Sequence, residues 1–420
     1  MSFKTLIGEE LLQQAKQIEE KIKPYHERLD EVSFLNQQKV LAAFRKHQVS
    51  DYHLIPSTGY GYDDAGRDTL EKVYAEVFGA EAALVRPQII SGTHAITISL
   101  FGVLRPGDEL LYITGKPYDT LQSIVSGNGK DTGSLEDFGI DYSHIDLLDD
   151  GSVNAEEVRK AISEKTKVVA IQRSKGYALR PSFTISQIDE IINLIRSIKE
   201  DAIIFVDNCY GEFVEELEPT DLNVDLMAGS LIKNPGGGLA KTGGYIAGKA
   251  EFVEKCAYRM TSPGIGAEAG ASLNTLMDMY QGFFLAPHTV SQAAKGAIFT
   301  SAILEEVGMS TSPHYTEPRT DLIQSVTFEK AEQMVEFCRT IQTNSPVNAH
   351  YAPEPAYMPG YKDDVIMAAG TFVQGSSIEL TADGPIRPPY TAYIQGGLTY
   401  EHVKTAILSA IQQLQKRKLL

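Results

Sequence analysis

Between Ile203 and Gly248 the chain reads IIFVDNCYGEFVEELEPTDLNVDLMAGSLIKNPGGGLAKTGGYIAG. An apolar run ends in Asp207, and Tyr210 follows three residues later. A second short apolar run, Asp225–Ala228, leads into Ser230 and Lys233. In an open α/β sheet the residues just past the carboxyl ends of strands line the ligand crevice, so Asp207 and Lys233 can face one crevice from neighbouring strands. A lysine and a carboxylate meeting there point to pyridoxal 5'-phosphate. The amine forms a Schiff base with the aldehyde, and the carboxylate keeps a proton on the pyridine nitrogen so that the ring accepts electrons. Alone, Asp207 would serve as a loop cap and Lys233 as a solvated side chain. The combination favours the cofactor: Asp-x-x-Tyr after a strand, then Ser-x-x-Lys before glycines.

Such a cofactor also needs a phosphate cradle. Ser91-Gly92-Thr93-His94 precedes an apolar helix, so backbone N–H groups at a helix N-terminus would point at an anion. Gly92 permits close approach and Thr93 adds a hydroxyl. Tyr118 follows the strand Asp108–Ile113, where its ring could stack on the pyridine face. A packed loop tyrosine would look the same in isolation.

These residues need a scaffold, and the pattern around them supplies one. Strand-like runs at Ala82–Arg86, Asp108–Ile113, Lys167–Gln172 and Ala202–Val206 alternate with helical stretches. The helices are expected at Thr69–Phe78, at Ala95–Leu104, at Asn154–Glu164 with Asn154 as cap, and after the capping-box pair Thr184 and Gln187. Short apolar strands alternating with helices predict an α/β fold, a parallel sheet with helices on both faces. Residues 9–48 read as a helical arm interrupted at Pro24. The stretch from Pro56 to Arg67 (PSTGYGYDDAGR) reads as a loop. A helix from Ala286 towards Val307 leads to mixed strands, a proline-rich segment (Tyr351–Pro359) and a last helix bearing Val403, Ile407, Ile411 and Leu414. The expected division is an arm over 1–50, a large cofactor domain over 51–290 and a small domain over 291–420.

Composition narrows the partners. With 38 Lys and Arg against 55 Asp and Glu, the net charge of −17 disfavours nucleic acid. No apolar stretch approaches the ~20 residues that span a bilayer. The N-terminus lacks a basic region followed by an apolar run, so a cytoplasmic protein is expected. Cys209, Cys256 and Cys338 fit neither a disulfide framework nor a metal cluster, and the nine histidines lack ligand spacing, so no metal is expected. AKTGG lacks the spacing of a P-loop, and no strand is followed by G-x-G-x-x-G.

Five stretches together carry a family likeness: GYGYDDAGRDTLE, SGTHA, VDNCYGEFVE, SLIKNPGGGLAKTGGYIAG and ADGPIRPPYTAYIQGG. On them the chain resembles the fold-type I pyridoxal-phosphate enzymes, specifically the Cys/Met-metabolism lyases. Within that group it resembles the methionine gamma-lyase and cystathionine beta-lyase branch described as aluminium-resistance proteins. The resemblance covers nearly the whole chain. It implies an aspartate aminotransferase-like fold, a large domain with a mainly parallel sheet plus a smaller α+β C-terminal domain. It assigns Lys233 to the Schiff base, Asp207 to the pyridine nitrogen, Tyr118 to stacking, and Gly92, Thr93 and Ser230 to the phosphate. Lys241 stands where related aminotransferases place a phosphate-binding arginine, and Arg387 matches the arginine that clamps the substrate carboxylate. The segment that reaches the neighbouring subunit's phosphate is Tyr60-Gly61-Tyr62 here, without the family's arginine, and Arg67 is the candidate to replace it. Gln172-Arg173-Ser174-Lys175 replaces the usual Asn-Pro, which puts Arg173 among the substrate contacts.

The expected activity is carbon–sulfur lysis of a small sulfur amino acid, with Lys233 as general base and Tyr118 or Tyr60 protonating the leaving sulfur. An aminotransferase, or a non-catalytic binding protein on the same fold, is the alternative. The resemblance also implies a homodimer or homotetramer whose sites lie at the dimer interface, with Tyr60 and Tyr62 acting in trans. Lys233, Lys241 and Arg387 are expected to gather in the crevice as an anion-binding island on an acidic protein.

Overall fold

The computed structural model describes residues 7–127, 129–358 and 361–420. Residues 1–6 of the expected arm and Pro359 of the proline-rich segment therefore lie outside the described residues.

In chain order the elements are α1 (Glu9–Lys46), α2 (Ala65–Val77), β1 (Ala82–Arg86), α3 (Gly92–Val103), β2 (Glu109–Tyr112), α4 (Asp119–Val125) and β3 (Asp141–His144). Then come α5 (Ala155–Ala161), β4 (Thr166–Gln172), α6 (Ile185–Ile198), β5 (Ile203–Asp207), β6 (Leu226–Ser230), β7 (Gly244–Gly248) and α7 (Ala250–Met260). The long α8 (Leu276–Glu306) leads to β8 (Ser310–Ser312), β9 (Gln324–Phe328), α9 (Ala331–Thr343), β10 (Val365–Ala368), β11 (Thr381–Pro385), β12 (Tyr390–Gln395) and α10 (Tyr400–Lys416).

The first sheet runs β1-β7-β6-β5-β4-β2-β3, and β7 alone is antiparallel to its neighbours. Its central strands are apolar on both faces and fully buried, as a sheet covered by helices on both sides requires. The second sheet, β10-β11-β12-β9-β8, is antiparallel throughout. The α/β class and the mainly parallel large sheet with a smaller second sheet follow the sequence reading. Residue 290 lies inside the continuous helix α8, so the chain passes towards the second sheet without a linker there.

Local caps explain several boundaries. Asn154 accepts the Glu157 N–H, and Thr184 and Gln187 form the reciprocal capping box of α6. Two expectations are corrected. Pro24 does not interrupt the arm: α1 is one helix of 38 residues with Pro24 inside it. Its buried stripe, Ala15, Ile18, Ile22, Leu29 and Val40, joins the main core and holds both halves in line despite the missing N–H. Asn36 pins this helix by donating to the carbonyls of Phe213 and Glu215 at 3.1 and 3.0 Å. The Pro56–Arg67 stretch is a loop only as far as Asp64, whose side chain caps α2 by accepting the Arg67 N–H.

Candidate active site

Strands β5 and β6 lie side by side in parallel, with Asp207 level with Ala228, so their carboxyl ends open at one place. Asp207 closes β5, and Lys233 lies three residues beyond β6. Both line a cavity of about 290 Å³ with Gly92, Thr93, Tyr118 and Ser230. Two apolar runs that end at neighbouring sheet positions thus bring together residues 26 apart in sequence.

Asp207 is buried, and burial raises its carboxyl pKa, while the Cys209 N–H at 3.2 Å and the charge of Lys233 pull it back. The Lys233 Nζ lies 3.5 Å from the centroid of the Tyr210 ring and donates to Ser377 Oγ at 3.2 Å. Burial disfavours its ammonium, but Tyr210 and Cys209 outweigh that and hold its pKa above the ordinary lysine range. Tyr210 itself adopts a left-handed backbone, φ 74°, which a bulky residue reaches only at a cost of about 1–3 kcal/mol. The surroundings hold it there: its hydroxyl donates to Gln395 Oε1 at 2.8 Å, and its carbonyl accepts from Asn234 Nδ2 at 2.9 Å.

Helix α3 begins at Gly92, three residues earlier than expected, with Ser91 capping it by accepting the His94 N–H at 3.1 Å. The unpaired N–H groups of its first turn therefore fall at Gly92 and Thr93, at the cavity wall. A Cβ on Gly92 would come within 3.1 Å of Cys209 Sγ and 3.2 Å of Ser230 Cβ. Any larger residue would require Cys209 or Ser230 to give by a few tenths of an ångström, so glycine suits this close approach of the helix end to β6. Donor amides, two hydroxyls, a buried carboxylate, a lysine and an aromatic ring fit a phosphorylated pyridine aldehyde.

Several residues picked out in the sequence stand elsewhere. Arg387 follows β11 at the protein surface and pairs with Asp363 at 2.9 Å, outside the cavity lining. Exposed Lys241 pairs with Asp278 at 2.7 Å. The expected gathering of Lys233, Lys241 and Arg387 does not occur, and Lys233 is the one cation among the described lining residues. Tyr60 and Tyr62 are 74% and 55% exposed and stack on each other with centroids 5.4 Å apart. Arg67 is committed to the loop that carries them, donating to the carbonyls of Gly61 and Gly270 at 2.6 and 3.0 Å. Arg173 is fully buried, bonded to Asn208 Oδ1 at 2.8 Å and Glu215 Oε1 at 3.0 Å, and does not reach the cavity.

Other lining residues have no role in the sequence reading, which named Gln172 only as part of the Gln172–Lys175 stretch. Gln172 accepts the Tyr118 N–H through Oε1 at 2.9 Å and so fixes the start of α4. Behind it Arg180 donates to the carbonyls of Gln172 and Ser174 at 2.8 and 2.9 Å. Tyr177, Ser377, Asp383 and Gln395 complete the wall. The last two lie inside the ADGPIRPPYTAYIQGG stretch, in which the resemblance assigns a role to Arg387 alone. Among the described residues no group of three or more His, Cys, Asp or Glu is placed to hold a metal, and no helix is long and apolar enough to cross a membrane.

The family model described as methionine gamma-lyase matches residues 11–415. A Bacillus subtilis protein of uncharacterised function is 64% identical over 420 residues, covering all of both chains. A solved Listeria monocytogenes structure, provisionally called a cystathionine beta-lyase involved in aluminium resistance, is 62% identical. It superposes with a TM-score of 0.94 over 95% of this chain and 98% of its own. A Clostridium novyi structure called a carbon–sulfur lyase involved in aluminium resistance is 47% identical, with a TM-score of 0.93 over 97% and 96%.

Proposed function

We propose, because the chain belongs to the methionine gamma-lyase family, that it is a pyridoxal-phosphate-dependent carbon–sulfur lyase. It would act on a sulfur amino acid and release a thiol, ammonia and a 2-oxo acid. One observation carries the reading: Asp207, Lys233 and the N-terminus of α3 share a single cavity.

Lys233 would hold the aldehyde carbon of the cofactor, Asp207 its pyridine nitrogen, Tyr118 its ring face, and the first turn of α3 with Thr93 and Ser230 its phosphate. When bound, the group supplies an electron sink for charge at the substrate α-carbon. The remaining work falls to the chain. Asp207, a buried carboxylate, would accept a hydrogen bond from the protonated ring nitrogen and keep the proton there, in surroundings where burial strengthens electrostatic interactions. Once the substrate amine has displaced it from the aldehyde carbon, the freed Lys233 amine would take the α-proton as general base. Ser377 and the Tyr210 ring fix its direction. Tyr118 lines the same cavity, its hydroxyl 3.4 Å from that of Tyr361, and would protonate the departing sulfur.

The same reading puts a second copy of the chain over Tyr60 and Tyr62, an exposed aromatic pair of the kind enriched in interfaces. Elution as a fully active monomer on size exclusion would remove that part. The activity itself is tested by supplying methionine or cystathionine without an oxo-acid acceptor. Lysis yields ammonia and oxo acid over many turnovers. A reaction that stops after one turnover would be transamination and would sink the proposal.

A further inference from the structure

Two carboxylates enter the cavity, and only one has an assignment. Asp207 closes β5 beside Lys233. Asp383 comes from β11 in the second sheet, on the face shared with Thr381 and with Gln395, which stands opposite Thr381 on β12. Asp383 is buried, yet among the described residues it makes no salt bridge. Its Oδ1 accepts from Gln395 Nε2 at 3.2 Å, and the Tyr177 hydroxyl also favours its ionised form. Burial raises its pKa to about 6, while the Tyr177 hydroxyl and the Lys233 charge oppose that rise.

A buried charge is costly unless a cation or several hydrogen bonds offset it. Lys233, the only cation in the described lining, is committed to the cofactor in the lyase reading on which this inference rests. What remains is a buried carboxylate without a cation of its own, on the wall of the cavity that a substrate would enter, a wall that also carries apolar Met367, Ile323 and Ala369. We propose that Asp383 receives a positive group on the leaving arm of the substrate. The preferred substrates are then sulfur amino acids whose thiol half carries an ammonium, while those with an anionic arm are rejected by like-charge repulsion.

The test uses the cofactor-loaded full chain and three S-substituted cysteines of similar size: S-aminoethyl, S-propyl and S-carboxymethyl. Thiol release gives kcat/KM, and calorimetry gives the Kd of each ligand independently of turnover. The expected order is aminoethyl, then propyl, then carboxymethyl, with the first pair separated by about tenfold or more. In Asp383→Asn the aminoethyl-to-propyl ratio should collapse towards one. An unchanged ratio in the variant, or a native enzyme that does not prefer the aminoethyl compound, overturns the proposal. If Asp383→Asn fails to fold, the order measured on the native enzyme decides alone. Charge-selective binding without thiol release would fail the lyase reading and leave this one standing. Thiol release without charge selection would do the reverse.

Discussion

Arg173 separates a structural from a substrate-binding role, and the separation can be measured. Its guanidinium is fully buried, donating to Asn208 Oδ1 at 2.8 Å, Glu215 Oε1 at 3.0 Å and Thr320 Oγ1 at 3.2 Å. Glu218 Oε2 lies 3.6 Å away and is itself buried. A Cβ on Gly211 would stand 2.5 Å from its Nη1, so the side chain fills its space. Replacing it by methionine keeps much of the volume but takes from buried Glu218, which lies beside Glu212, the larger of the two positive charges acting on it, leaving that of Lys39. Breaking a buried ion pair from one side typically costs about 3–5 kcal/mol. The expected result for Arg173→Met is therefore a loss of about 3–5 kcal/mol in urea unfolding, read as a lower midpoint at constant slope. Adding Glu218→Gln should recover part of it, because the unpaired carboxylate is the main cost. KM per folded molecule should change little. A variant of near-native stability whose KM rises tenfold or more would refute this account and return Arg173 to the substrate.

Lys233→Ala should purify without the absorption band of a bound pyridoxal group, and borohydride should leave no added cofactor mass on it. Gly92→Ala forces a Cβ to 3.1 Å from Cys209 Sγ, and overpacking of this kind costs about 1–3 kcal/mol. Reconstitution of the cofactor-free variant should show the cofactor Kd raised about tenfold; an unchanged Kd would count against α3 as the phosphate cradle. Glu212 is buried beside Glu218 and its pKa is raised from 4.5 to about 8, burial being the larger cause. The folded state therefore holds the proton more tightly than the unfolded chain. The stability it gives is complete below pH 4.5 and lost as pH rises through about 8. Glu212→Gln should flatten the unfolding free energy across that window, and an unaltered pH slope would contradict the placement.

How much of this was legible in the sequence depended on how far each side chain must look for its partners. The caps at Asn154 and Thr184, and the placing of Asp207 and Lys233 past two apolar strands, are settled within a few residues or by one strand pairing. Pro24 misled because a proline's local penalty is visible in sequence, whereas the core stripe that overrides it is not. The arginines misled for the same reason. Nothing near Arg173 announces that Thr320, 147 residues on, will accept from it. Nothing near Arg387 announces that Asp363 will hold it at the surface.

The second sheet was hardest to read. Every residue of β11 is buried, so the alternation that would separate a cavity face from a core face is absent. Asp383 reaches the cavity wall on the face it shares with Thr381, which stands opposite Gln395. That has a consequence for charge. The sequence suggested an island of three cations in an acidic protein. The described wall instead holds one lysine and two aspartates, with anion binding left to the amides of α3. A crevice of that composition can hold a phosphate by backbone dipoles and still select against negative charge at its far wall. Under the proposed function, cofactor retention would rest on α3 beside the first sheet and substrate choice on β11 of the second. They should fail separately, cofactor affinity with Gly92 and charge preference with Asp383.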